Sequence, residues 1–204
     1  MKLGQKAMEA LQAEITGRLL PGNELIMVSP AALKGTSVIA EENAEKLKAH
    51  FSEGFLRASR SLYRDFGVGE EPMKSAAWKM AQEAGATALY AIGEGGFLCA
   101  LWKMAEASQV GLEADFRKIP IRQETIEICE VFDLNPYRLH GGGAILMGIS
   151  AGEALVQEYK RMGLMAAVIG QANSGNDRLL YSGESARYLD RPAEDELWKA
   201  VTRF

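Results

Sequence analysis

The stretch Tyr90-Ala91-Ile92-Gly93-Glu94-Gly95-Gly96-Phe97 decides the fold. Thr87 to Ile92 reads as a strand, the glycines make a turn, and the turn opens a helix with apolar periodicity from Phe97 to about Ala107. Such a turn presents bare backbone N–H groups at a helix N-terminus, where anions are stabilised. This version carries a carboxylate, Glu94, and has no Lys, Ser or Thr from Tyr90 through Gly96. Two readings follow. The N–H groups of Gly95, Gly96 and Phe97 form a residual phosphate cradle, or the glycines serve a tight turn that needs positive φ and close packing.

Outward from that turn, strands alternate with helices. Upstream, Leu3, Ala7, Leu11, Ile15 and Leu19 have helical spacing that ends at Pro21-Gly22. Glu24 to Ser29 is a short apolar strand and Gly35-Thr36 a turn. From Glu42 to Leu62 one long helix, or two broken near Ser52 to Gly54, both fit. Pro72 suits the first turn of a helix through Ala84, with Gly85 just past its end. Downstream come a strand at Leu112 to Asp115, a helix at Arg122 to Phe132, and three glycines (141–143) before a strand at Ala144 to Ile149. A helix at Glu153 to Met162, strands at Met165 to Ile169 and Arg178 to Tyr181, and a terminal helix at Glu194 to Val201 complete the chain. The alternation predicts one layered domain, a sheet covered by helices.

Composition bounds the function. The 204 residues can bury a full core. The net charge of −4, without basic runs, argues against a nucleic-acid surface. No apolar run approaches the ~20 residues needed to span a bilayer, and the N-terminus lacks the pattern of a signal peptide. Cys99 and Cys129 lie in apolar segments and read as buried, reduced thiols of a cytoplasmic protein. No histidine or cysteine pair has metal-ligand spacing, so no metal is expected. Nor does any serine sit in a nucleophile elbow.

The segment Gly95 to Ala107 resembles the helix after the Asp-x-Thr-Glu-Gly-Gly turn of the AIR synthase (aminoimidazole ribonucleotide synthase) superfamily, nearest the branch of the hydrogenase-maturation protein HypE. The resemblance continues through Val110-Gly111-Leu112-Glu113, Lys118-Ile119-Pro120-Ile121-Arg122, Glu127-Ile128-Cys129-Glu130 and Leu134-Asn135-Pro136-Tyr137-Arg138-Leu139. Ala167-Val168-Ile169-Gly170 is similar to a late strand and Asp195-Glu196-Leu197-Trp198-Lys199 to the closing helix. Pro21-Gly22-Asn23-Glu24-Leu25-Ile26-Met27 is similar to the entry strand, and Gly35-Thr36-Ser37-Val38-Ile39-Ala40 to the segment after it.

That family has two domains. The first holds Mg–ATP on acidic residues and builds a dimer; the second closes over nucleotide and substrate. The resemblance covers only the second. It implies a PurM C-terminal-domain-like α/β (α+β) sandwich at residues 21–204, a mixed sheet covered by helices, after an N-terminal helical extension at 1–20. ATP and Mg are expected only if a separate ATP-binding-domain chain supplies the first domain. Where the family has Asp and Thr in the turn this chain has Ala91 and Gly93, and Tyr90 replaces a frequent His. The hydrogenase-maturation branch acts on its own C-terminal cysteine. This sequence ends Val201-Thr202-Arg203-Phe204, so that chemistry is not expected.

The candidate ligand-binding residues are therefore Glu94, Gly95, Gly96, Phe97, His140, Gly141, Gly142, Lys34 and Thr36. His140 could donate to a ligand or simply pack in its loop. Lys34 and Thr36 could meet a phosphate or face solvent. The expected function is a stand-alone, non-catalytic or partner-dependent binder of a phosphorylated or nucleotide-like ligand. The alternatives are a subunit of an ATP-dependent complex and a structural oligomer. A homo-oligomer is expected, because removing a partner domain leaves apolar surface to cover.

Overall fold

The computed structural model describes residues 3–202. The chain runs α1 (Gln5–Ala13), β1 (Thr16–Gly17), β2 (Glu24–Val28), α2 (Leu33–Glu42), α3 (Ala44–Leu47), α4 (Glu53–Phe66), α5 (Ala76–Glu83), β3 (Ala88–Ile92), α6 (Gly96–Ser108) and β4 (Gly111–Asp115). It continues through α7 (Gln123–Phe132), β5 (Ala144–Ile149), α8 (Glu153–Arg161), β6 (Ala166–Asn173), β7 (Arg178–Ser182), β8 (Ser185–Tyr188) and α9 (Leu197–Ala200). All the strands join one sheet in the order β1-β3-β5-β2-β6-β4-β7-β8. Neighbours are antiparallel except β4 and β7, which run parallel.

The central strands are apolar on both faces because both faces are covered. Leu25, Met27 and Leu146 pack with Phe97, Leu101 and Met104 of α6. The alternate residues Ile26, Val28, Ile145 and Met147 pack with Trp78 of α5 and with Val156 and Tyr159 of α8. Each such buried aliphatic side chain stabilises the fold by about 1.5–3 kcal/mol. A third cluster, including Ile39, Leu56, Ile128 and Leu197, joins α2, α4, α7 and α9. The mixed sheet with its helical cover matches the expected sandwich. No helix among the described residues is long and apolar enough to cross a membrane.

Several boundaries differ from the sequence reading. The N-terminal helix stops at Ala13, because Thr16 and Gly17 pair with Leu89 and Ala88 at the sheet edge. Ile15 and Leu19 still reach the core, so burial kept their spacing while pairing changed the backbone. The extension packs on its own domain: Lys103 Nζ and the Tyr90 hydroxyl both donate to Glu14, at 2.6 and 3.2 Å. Residues 1, 2, 203 and 204 of the two expected units lie outside the described residues.

Gly35-Thr36 is not a turn. Both lie inside α2, where Gly35 N–H donates to the His140 carbonyl at 2.9 Å. The periodicity after Glu42 divides into α3 and α4, and the Ser52 hydroxyl caps α4 by accepting from Phe55 N–H. Pro72 opens a 3-10 turn, Pro72–Lys74, and Ser75 caps α5 after it. β1 and the exposed edge strand β8 have no counterpart in the sequence reading.

Candidate functional site

β3 delivers the chain to the turn and α6 carries it away. Gly95 and Gly96 both take left-handed conformations, φ +78° and +66°. At Gly96 a Cβ would lie 2.5 Å from the Leu139 carbonyl oxygen and 2.8 Å from that of Tyr137. The turn is thus pressed against the loop that leads to β5. Gly96 N–H and Gly141 N–H both donate to the Gly93 carbonyl, at 3.2 and 3.0 Å.

The N–H of Gly95 donates to a buried carboxylate, Asp195 Oδ2, at 2.7 Å. Asp195 Oδ1 accepts from His140 N–H at 3.2 Å and from Leu197 N–H at 2.8 Å. Asp195 is only 2% exposed. One carboxylate therefore clamps the glycine turn, the His140 loop and the start of α9. Hydrogen bonds to a charged acceptor are the stronger kind, about 1.5–3 kcal/mol each.

The sequence-derived candidates separate into two groups. His140, Gly142 and Lys34 are neighbours: Gly142 N–H donates to His140 Nδ1 at 3.1 Å, and a Cβ at Gly142 would lie 3.1 Å from the Lys34 Cβ. Lys34 Nζ sits 4.6 Å from the centre of the Tyr63 ring. Glu94 is exposed beside them and accepts from Trp198 Nε1 at 3.3 Å. Gly141 is buried against Ile92.

Phe97 and Thr36 stand apart. The Phe97 side chain is 1% exposed and packs edge-to-face with Tyr137, so it belongs to the core. Thr36 is buried, and its hydroxyl donates to the Ala32 carbonyl at 2.8 Å and lies 3.0 Å from the Thr125 hydroxyl. The N–H groups of Gly95 and Gly96, for which the sequence allowed either a phosphate cradle or a tight turn, both have partners within the chain.

Burial lowers the His140 imidazole below its ordinary value of 6.5, while Asp195 and Glu94 pull it upward and Lys34 pushes it down. The Nδ1 contact with Gly142 N–H also requires an unprotonated nitrogen there. As pH falls below 6.5 the unfolded chain takes up a proton that the folded His140 refuses. The stability from this group is complete above that pH and lost as pH falls through the lower folded value. In urea titrations between pH 7 and pH 5, His140→Gln should lose less stability than the wild type. Parallel pH profiles would contradict this assignment.

The two cysteines are buried and free. Burial pushes the Cys129 thiol up to about 12, so it is an inert core group. Among the described residues no three His, Cys, Asp or Glu side chains are placed to hold a metal.

The profile of the AIR synthase related protein, C-terminal domain, matches residues 21–181. This chain belongs to that family. Within the AIR synthase-related family it is 35% identical over 98 residues to phosphoribosylformylglycinamidine synthase subunit PurL of Parasynechococcus marenigrum, covering 47% of this chain and 12% of that one. Its fold is similar to E. coli HypE, a hydrogenase maturation protein, with a TM-score of 0.63 at 18% identity, covering 90% of this chain and 54% of that one. HypE in complex with ATP gives a TM-score of 0.62 at 16% identity, covering 88% and 53%. The chain thus spans about half of those HypE chains and a small part of PurL.

One residue of this AIR synthase-related site escaped the sequence reading. Asp195 was visible as part of a closing-helix segment, and an Asp just before a short helix is a recognisable local cap. Its bond to Leu197 N–H is that local part. Its reach across 100 residues to Gly95 had no sequence signal.

Proposed function

We propose that this chain is a partner-dependent binding domain of the AIR synthase-related family, not a catalyst by itself, and that it works in the cytoplasm as an oligomer. The ligand is a phosphorylated or nucleotide-like molecule, met at the face formed by His140, Gly142, Lys34 and Glu94. The observation that carries the reading is the composition of the turn. Ala91 and Gly93 supply no side-chain hydrogen bonds where the family has Asp and Thr, while the glycines and a cation at Lys34 remain. ATP and Mg enter only where an ATP-binding domain on another chain supplies the acidic ligands. The HypE structure solved with ATP supports looking for nucleotide first.

The test measures mass and turnover on the same samples. Light scattering and ATP hydrolysis are recorded for the chain alone and mixed with the ATP-binding domain of an AIR synthase relative. The chain alone should be a dimer or larger at micromolar concentration and hydrolyse ATP at background. Turnover by the chain alone that disappears in Glu94→Ala would overturn the non-catalytic reading, and a monomer would overturn the oligomer.

A further inference from the structure

β6 is longer than one of the strands beside it. β4 pairs with it only from Asn173 to Gly170, whereas β2 follows it to Ala166. The first half of β6 therefore has one neighbour. Register decides which backbone groups this leaves over. Ser29 N–H donates to the Met165 carbonyl at 2.7 Å, so Met165 and Ala167 face β2, while Ala166 and Val168 turn their N–H and C=O groups away from it. Those four groups have no hydrogen-bond partner among the described residues.

The chain does not close this gap itself. The Asp115 carboxylate accepts from Arg117 N–H at 2.9 Å, which ends β4 and starts the 3-10 turn Phe116–Lys118. Pro120, in the segment that follows, has no N–H to give a ladder. Its carbonyl is taken by Ala31 N–H at 2.8 Å.

The open edge lies in a trough of about 530 Å³ between the segment 117–121 and the turn that joins α8 to β6. Ligand sites have this size, roughly 300–1,000 Å³. Ile119, Pro120, Leu164 and Ala166 give the trough apolar walls, and Met165 in its lining is 37% exposed. Its charged lining residues are Arg117, Lys118 and Lys160, with no carboxylate among them. Arg117 is held by Asp115 at 2.8 Å. Lys118 and Lys160 have no ion-pair partner among the described residues, whose lysine pairs all lie elsewhere. A chain of net charge −4 thus presents a purely cationic rim at the one place where β6 lacks a neighbour.

We propose that this trough binds an extended segment of a partner protein, added to β6 as a strand, in which acidic side chains alternate with apolar ones. Strand addition supplies the partners that the N–H and C=O groups of Ala166 and Val168 lack. The period of two lets one set of the incoming side chains meet the apolar walls while the other reaches the rim. Carboxylates in that second set meet Lys118 and Lys160, and a basic segment is repelled. Lysines beside an open edge have a second use, which is to discourage any pairing.

The full chain is titrated by fluorescence anisotropy with three labelled hexapeptides: alternating Val and Glu, alternating Val and Lys, and the acidic one with every backbone nitrogen methylated. The unmodified acidic peptide should bind about tenfold or more tighter than either of the others. Lys118→Glu combined with Lys160→Glu should reverse the preference between acidic and basic peptides. Both positions are exposed, so the double substitution spares the core. On the wild type, saturating acidic peptide should slow amide exchange at Ala166 and Val168. Equal affinity for the acidic peptide and its methylated form overturns strand addition, and equal affinity for acidic and basic peptides overturns the acidic partner. No peptide binding, with exchange at Ala166 and Val168 unchanged, overturns the site and leaves the lysines as guards of the edge. Octanoate that binds where no peptide does assigns the trough to a small amphiphile instead. A chain that is a dimer by light scattering and a monomer in the double variant assigns it to a second copy.

Discussion

Phe97→Ala should lower the unfolding free energy by about 4 kcal/mol, within the range for removing a buried aromatic side chain. Phe97 is 1% exposed, lies in the cluster under β2 and β5, and packs edge-to-face with Tyr137 at a centroid distance of 6.4 Å. Truncation removes apolar contacts and leaves a hole that the sheet on one side and the Tyr137 loop on the other cannot fill. Against a total stability of about 5–15 kcal/mol such a loss is severe. A urea titration reads it as a lower midpoint at unchanged slope. A loss under about 1 kcal/mol, together with weakened nucleotide binding, would instead mean that the ring serves the ligand.

Gly96→Ala should cost about 3 kcal/mol by a different route. The left-handed backbone alone costs a non-glycine residue about 1–2 kcal/mol. The new methyl would also fall 2.5 Å from the Leu139 carbonyl oxygen and 2.8 Å from that of Tyr137. Both contacts are main chain, so relief requires the loop before β5 to move, and with it His140. The variant should therefore lose stability and show altered amide exchange at His140 and Gly141. A variant as stable as the wild type would show that the turn relaxes freely and that its contact with the loop carries no strain.

The contrast between these residues marks what the sequence disclosed. Strand, turn and helix at residues 87–108 were legible because the glycines interrupt two apolar periods, and the family resemblance supplied the rest of the sandwich. His140 and Gly142 were singled out as one loop and Lys34 as part of another, and the fold makes them neighbours. Thr36 misled because a Gly-Thr pair after a strand reads as a turn, whereas tertiary packing of Gly35 on Leu139 draws both into α2. β8 has no apolar alternation, since every one of its residues is exposed. Asp195 was hidden for another reason. A long-range bond from a carboxylate to a backbone N–H leaves no pattern in a single chain, whose periodicities record only which side of an element meets the core.

The central position of β2 has a consequence for biosynthesis. Its partners are β5 and β6, so Val28 pairs with Ile145 and Ala166, residues made more than a hundred positions later. At about 5–20 residues per second a ribosome needs several seconds or more to deliver them. Through that interval Leu25-Ile26-Met27-Val28 is an apolar strand with both edges open, the kind of segment that seeks other nascent chains. The sheet closes only when β5 and β6 arrive on either side, so the fold is slow by topology and commits late. The molecule's safest moment therefore comes only once β6 has been made, and its yield should respond to holdase chaperones more than to any change in its surface.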